Sequence, residues 1–310
     1  MSMKTNILSF NEREELIFGF LLELFKRPIP LVLRGNLSTR LYLHIENSEY
    51  YRETVDIDMD CIMPIKDIKE LIKVFQECID VVNSNLYVVL TRVPIEGKTT
   101  AGFSFKEKTT NEQYFTIDLA LTRIETLNII EVNGVNFKTV DILETLVDKV
   151  STCSSYRCIG RRFKDLVDLF SIVSCYSFKI KDISSFIKTK YRELDSFETL
   201  YNSSQEDFNN VFSKFKGLHG EFYLSDILGV VRDFCMPLKS NTVNGFIWDC
   251  KKLKWINEES VVSSFVDTPL IDNELVSMID YKDKSMEELE GLNPIEKLNL
   301  MNIKFVRKGE

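Results

Sequence analysis

Asp56, Asp58 and Asp60 recur at every second position in the segment Arg52-Glu53-Thr54-Val55-Asp56-Ile57-Asp58-Met59-Asp60. On a β-strand that period puts the three carboxylates on one face and Val55, Ile57 and Met59 on the other. Like charges so close repel unless a cation joins them. Carboxylate oxygens at this spacing suit Mg²⁺, which keeps several waters and is usually held by one or two carboxylates together with substrate phosphates. A half-exposed strand with merely solvated aspartates is the alternative that the same residues allow.

Some twenty residues upstream, Pro28-Ile29-Pro30-Leu31-Val32-Leu33 reads as a short buried strand bounded by prolines, followed by Arg34-Gly35-Asn36-Leu37-Ser38-Thr39-Arg40 and apolar Leu41, Tyr42 and Leu43. A strand, a glycine turn and a helix start make phosphate-binding geometry. Gly35 lets the backbone approach a ligand, Asn36 and Ser38 are expected to cap the helix, and its free amides would face an anion. Such a turn also ends many strands for purely structural reasons, and only its pairing with the acidic strand is unusual.

Taken in order, Leu33 to Arg40 followed by Arg52 to Asp58 resembles the AbiEii-type nucleotidyltransferase toxins, which place a Gly-Gly or Gly-Ser turn before an arginine and an Asp-x-Asp strand. Phe115-Thr116-Ile117-Asp118-Leu119 resembles the third-carboxylate strand of nucleotidyltransferases. Lys149 and the run Arg162-Phe163-Lys164-Asp165-Leu166-Val167-Asp168-Leu169 resemble the family's lysine and its basic-Asp-x-x-Asp-Leu helix. The resemblance extends from about Ile29 to Tyr176.

It implies an α+β fold, a nucleotidyltransferase-like mixed β-sheet flanked by helices and followed by a mostly helical C-terminal domain. It also implies transfer of a nucleoside monophosphate from an NTP to an acceptor hydroxyl. Asp56, Asp58 and Asp118 would hold Mg²⁺, with Mn²⁺ as its substitute. Gly35, Asn36 and Ser38 would form the phosphate cradle, Arg40 and Lys149 would neutralise charge, and Asp165 would act as a base or orient one. The implied partners are the NTP, an RNA acceptor such as the 3′ end of tRNA or a protein acceptor, and a cognate antitoxin. Asn36 and Leu37 depart from the small residues usual at the turn. Bulk there would crowd a triphosphate, so a catalytically silent nucleotide-binding or interaction protein of the same fold stands as the second reading. A metal-dependent phosphodiesterase using the same aspartates is a third.

A chain of 310 residues exceeds the ~250 to 300 at which single cores stop growing, and two domains are expected, 1–150 and 151–310. Hydrophobic residues make up 44% and charged residues 28%, an ordinary globular balance. No apolar run approaches the ~20 residues that cross a bilayer, and Met1 to Asn6 leads into polar sequence, so a cytoplasmic protein without membrane association is expected. Seven cysteines without any CxxC pair read as reduced thiols, and His44 and His219, the only histidines, read as structural, although His44 is close enough in sequence to touch the site.

The elements that must position these residues follow from periodicity. Asn11 to about Lys26 and Ile65 to Asn83 carry apolar stripes at helical spacing. Leu86–Val93, Ala101–Lys106 and Tyr114–Leu121 read as strands, with Gly97 between the first two and Gly102 at the start of the second. Asp118 shares its strand face with Thr116 and Ala120, where it could complete a metal triad or, on an edge strand, simply face water. From Lys149 to Arg192 there are ten basic residues against three acidic ones, a local net of +7 in a chain of net charge -8. That asymmetry points to contact with a nucleotide or an RNA end rather than to extended RNA binding, which an acidic whole disfavours. Phe163, Leu166, Leu169, Phe170 and Val173 form a buried helical stripe with Lys164, Asp165 and Asp168 at its borders. Simple surface pairs, Arg161 with Asp165 and Lys164 with Asp168, account for the same spacing. Beyond Phe178 the chain reads as helical to Leu238, with capping signals at Ser196, Ser204 and Ser225. Residues 241–310 alternate strand-like pieces such as Phe246-Ile247-Trp248 with acidic helical ones and carry no motif.

Overall fold

The computed structural model describes residues 11–54, 56–61, 68–93, 100–121, 127–191, 193–240 and 245–258. The chain opens with α1 (Glu12–Phe25), capped by the Asn11 side chain on Glu14 N, and continues through β1 (Leu31–Arg34), α2 (Gly35–Ile45), β2 (Tyr51–Arg52) and β3 (Asp56–Cys61). Next come α3 (Ile68–Val82), β4 (Leu86–Arg92), β5 (Thr100–Glu107), β6 (Gln113–Ala120), β7 (Asn128–Val132) and β8 (Val135–Thr139). The second half holds α4 (Ile142–Ser155), α5 (Ile159–Cys175), β9 (Phe178–Lys179), α6 (Ile180–Lys190), α7 (Glu198–Asn202), α8 (Gln205–Phe212), β10 (Leu218–His219), α9 (Leu224–Lys239), β11 (Phe246–Asp249) and β12 (Lys254–Asn257).

Seven strands form one mixed sheet in the order β4-β5-β6-β3-β1-β8-β7. β3 lies antiparallel to β1 and parallel to β6, with Asp58 opposite Arg34 on one side and Asp118 on the other. β6 is therefore an interior strand, which corrects the edge-strand reading of Asp118. One face of the sheet is covered by α1 and α3. Ile57, Met59, Phe103, Phe105, Phe115 and Ile117 point into that core with Phe20 and Phe75 from the helices, and the cross-strand pair Phe105–Phe115 stacks at 4.1 Å between centroids. The alternation that buries these residues turns Asp56, Asp58 and Asp118 to the opposite face.

The β7–β8 hairpin is an element that the sequence reading passed over. Its turn is Asn133-Gly134, both with positive φ (53° and 74°), the conformation that two-residue hairpins favour because it matches strand twist. The Asn-Gly pair between alternating apolar residues was the available signal.

A second core gathers α4, α5, α6, α7, α8 and α9 around Phe163, Leu166, Val167, Phe197, Phe208, Phe234 and Trp248. α4 runs unbroken through residue 150, the expected domain division, so the change of core falls at its first turn, where Ile142 packs against both clusters. Of the capping signals, Ser204 forms a full capping box with Asp207. Ser196 and Ser225 do not cap: α7 begins after Phe197 in a left-handed conformation, and Ser225 lies inside α9. Phe246–Asp249 is a strand as expected, paired with β9 and β12. Gly97, Arg192 and residues 259–310 lie outside the described residues. No helix among the described residues is long and apolar enough to cross a membrane.

Candidate active site

A cleft of about 460 Å³ opens on the sheet face opposite α1 and α3, between β1, β3 and β6 and the helices α4 and α5. Gly35, Asp58, Asp60, Arg92, Asp118, Thr145, Asp148, Lys149, Arg162 and Asp165 are among its lining residues. Its size is in the range of small-molecule sites, ~300–1,000 Å³.

One wall is acidic. Burial pushes the Asp58 carboxyl above the ordinary range, Asp118 and Asp56 push it further the same way, and Lys149 and Lys164 pull it back. Gly35 opens α2 at φ +65°, and a Cβ there would collide with Asp58 Oδ2, so only glycine lets the turn lie against this carboxylate. Asp118, 57% exposed, is held by Arg92 Nη2 at 2.6 Å. Asp56 is exposed and accepts from Thr116 Oγ1 at 2.8 Å. Asp60, at the buried end of β3, pairs with Arg34 Nε at 3.1 Å, and Arg34 also donates to Asp148 at 2.6 Å. The three aspartates of β3 do share one face, but burial deepens along it from Asp56 to Asp60.

The facing wall is basic at its surface and closely paired behind. Lys149, from α4, donates to Asp165 Oδ1 at 2.9 Å and to Asp168 Oδ2 at 2.7 Å. Burial would drive the Lys149 ammonium down, but Asp168 and Asp165 outweigh it and hold its pKa above the ordinary lysine value. Arg52 grips Asp168 with Nε and Nη2 at 2.7 and 3.0 Å. Asp168 is 2% exposed; burial opposes its charge, yet Arg52 and Lys149 keep its pKa below the usual carboxylate range. Arg162 stands 3.6 Å from Asp165. The surface-pair reading of Asp168 is thus corrected, because its partners come from β2 and α4 rather than from its own helix. The Arg161 side chain lies outside the described residues.

Of the sequence-predicted residues, Gly35, Asp58, Asp118, Lys149 and Asp165 meet at the cleft, with Asp56 just beyond it. Asn36, Ser38 and Arg40 do not line it. The first residue before α2 is Arg34, and no side chain caps the helix. Asn36 turns inward and donates to Arg52 O at 3.3 Å, and Ser38 Oγ is buried without a hydrogen bond among the described residues. Leu37, 7% exposed, joins the core, so neither bulky turn residue projects into the cleft. Arg40 is buried on the far side of α2, ion-paired with Glu14 and lying 4.4 Å over the Tyr51 ring. There it borders a cavity of about 20 Å³ with Glu14 and Leu37. Residues that sequence reasoning missed are Arg34 and Arg92, which line the cleft, and Arg52 and Asp168, which lie behind its wall; pairing across the sheet and between halves, which no local spacing shows, puts them in place.

Glu14, Glu53 and His219 form a group able to hold a metal ion, with ligand atoms within 4.8 Å of one another, away from the cleft. His219 stacks on Tyr51 and lies 3.3 Å from Glu53, so its role in the described structure is structural pairing, and the Arg40 guanidinium already supplies a positive charge at Glu14. His44 is half-buried on α2, and burial followed by the Arg40 charge holds its pKa down; it does not reach the cleft.

In overall structure the chain is similar to a protein of H. pylori assigned as a nucleotidyltransferase (14% identity, 75% of this chain and 97% of that one, TM-score 0.49). It is also similar to MenT4, a nucleotidyltransferase toxin of Mycobacterium tuberculosis H37Rv (15% identity, 71% and 81%, TM-score 0.46). No curated protein sequence matches it. The family described as nucleotidyl transferase AbiEii toxin of type IV toxin–antitoxin systems matches residues 28–218, more than half of the chain, which therefore belongs to the AbiEii nucleotidyltransferase toxin family.

Proposed function

We propose that the cleft binds an NTP and transfers its nucleoside monophosphate to an acceptor hydroxyl, releasing pyrophosphate. One observation carries this reading: Lys149, protonated and clasped by two carboxylates, lines the same cleft as Asp58, whose carboxylate lies against the glycine turn.

The acidic wall fits a hard divalent cation. Its donors are carboxylates alone, and Asp58 bears a burial cost that a cation would offset. Asp56, Asp58 and Asp118 would hold Mg²⁺, with Mn²⁺ able to replace it, and the bound ion would neutralise charge on the phosphate oxygens during in-line displacement. The chain's own groups do the rest. The backbone at Gly35 lines the cleft beside Asp58, Lys149 pairs with the charge of the phosphates, and Asp165, whose Oδ2 has Arg162 at 3.6 Å and no hydrogen bond among the described residues, takes or orients the acceptor's hydroxyl proton. Asn36 and Leu37 turn away from the cleft, which removes the steric ground for the silent reading.

Arg92 and Arg162, each about half exposed at the cleft, together with exposed Lys164 favour a polyanionic acceptor, an RNA end such as the 3′ end of tRNA, over a protein hydroxyl. A cognate antitoxin is the partner that family membership brings with it.

The test is incubation with each α-labelled NTP, Mg²⁺ and bulk tRNA, wild type beside Asp58→Ala. Label on RNA from the wild type alone is expected. Label on protein would move the acceptor, and nucleotides released from RNA without NTP consumption would replace transfer by phosphodiester hydrolysis.

A further inference from the structure

Arg52 lies behind the cleft wall and touches both of its sides. Its carbonyl accepts from Asn36 in the glycine turn, and its guanidinium forks onto Asp168 in α5. The strand that carries it is fixed in turn: Arg52 pairs with Leu218 across the β2–β10 ladder, and Glu53 N donates to Gly217 O at 2.7 Å.

A count of charges shows what this residue changes. Lys149 sits between two carboxylates, Asp165 and Asp168. Taken with those two alone, the cluster is net negative and would repel a triphosphate. Arg162 faces Asp165 at the cleft surface, and Arg52 faces Asp168 in the interior, so each carboxylate has a second cation of its own. A bidentate guanidinium is suited to this, because it engages both oxygens of a planar carboxylate and stays charged when buried. Lys149 has three N–H donors and spends two on the carboxylates, leaving one for the cleft that it lines.

We propose that Arg52 is a positioning residue for nucleotide binding: by neutralising Asp168 it leaves the Lys149 charge and its third donor to the phosphates. The inference rests on the reading of Lys149 as the triphosphate-binding group. Arg52 itself does not line the cleft, so its effect reaches the nucleotide only through Asp168 and Lys149.

The test titrates the full chain with each of the four NTPs in Mg²⁺, without acceptor, by calorimetry, with thermal unfolding recorded for every variant. Arg52→Gln is expected to raise the NTP Kd at least tenfold. The double variant Arg52→Gln/Asp168→Asn removes the charge that Arg52 answers, and is expected to return Kd to within about threefold of wild type. Arg52→Lys, which keeps the charge and loses the fork, is expected to stay within about threefold as well and serves if Arg52→Gln does not fold. Wild-type affinity in folded Arg52→Gln, no recovery in the folded double variant, or a tenfold loss in Arg52→Lys would each overturn the role. Lys149→Met separates the two levels: unchanged NTP affinity in that variant overturns the assignment of Lys149 itself, whereas its loss beside a normal Arg52→Gln overturns only the role of Arg52.

Discussion

The two walls of the cleft are built on opposite principles. On the sheet side, Asp56 and Asp118 are exposed and held by single polar neighbours, Thr116 and Arg92, while Asp58 is pushed toward its neutral form by burial and by the other two. On the helix side, Lys149, Asp165, Asp168 and Arg52 interlock at 2.7–3.0 Å with almost no exposure of Asp168. On the proposed reading the acidic wall takes up a cation, whereas the paired wall carries its own counter-charges. Charge is therefore stored in one wall and settled in the other, so the same kind of substitution should have opposite consequences in the two.

The sharpest way to break this contrast is Asp58→Asn. Transfer should fall by about 10²- to 10³-fold, since charge stabilisation by one group at a preorganised site is worth that much. Yet the folded protein should become more stable in metal-free buffer at neutral pH. The sign follows from the raised pKa: folding favours the protonated Asp58, so the ionised form costs stability above that pKa, and a neutral isostere removes the cost. A lower melting temperature for Asp58→Asn would end the idea of a wall that takes up a cation.

Asp168→Asn is the mirror experiment. It leaves two buried cations sharing one fewer carboxylate, and should cost about 3 kcal/mol, the lower end for breaking a buried pair. Because the Asp168 pKa is depressed, its contribution is complete above the unfolded value of about 4 and is lost as pH falls through the folded value. The gap between wild type and Asp168→Asn in urea unfolding should accordingly close on acidification; a gap independent of pH would show that Asp168 acts through packing alone.

A third prediction concerns the acid limb of the pH–activity profile. Asp58 must ionise to hold a cation, so activity should fall at a pH above that of an ordinary aspartate, and raising Mg²⁺ tenfold should move that limb to lower pH. The smallest effect is expected at Arg92→Ala. An exposed pair with Asp118 is worth under ~1 kcal/mol, so melting should barely change, while half-saturation by Mg²⁺ shifts by less than tenfold toward lower concentration as Asp118 is released.

The acidic wall was legible in the sequence because its logic is local: an alternating strand declares its faces, and a glycine before a helix declares a close approach. The paired wall was legible only in part. Lys149 and Asp165 were placed by resemblance, but the grip of Arg52 on Asp168 joins residues 116 positions apart, and no periodicity carries that information. The errors have the same root. Ser38 is expected at the cleft because it follows Gly35, and Arg40 because of the resemblance, but a helix turns ~100° per residue, and at three and five positions on they lie buried away from the cleft. The missed β7–β8 hairpin is different, since Asn133-Gly134 was in plain view.

The seam between the two cores has a bearing on when the cleft is assembled. Lys149, Asp165 and Asp168 all follow the sheet in chain order, and Arg52, made early, finds its partner only when α5 is in place. A ribosome that has made the sheet has made the carboxylates of the acidic wall but no counter-charge opposite them. The cleft is thus completed only when α4 and α5 have folded against the sheet, and a chain that ends before them has one wall of it.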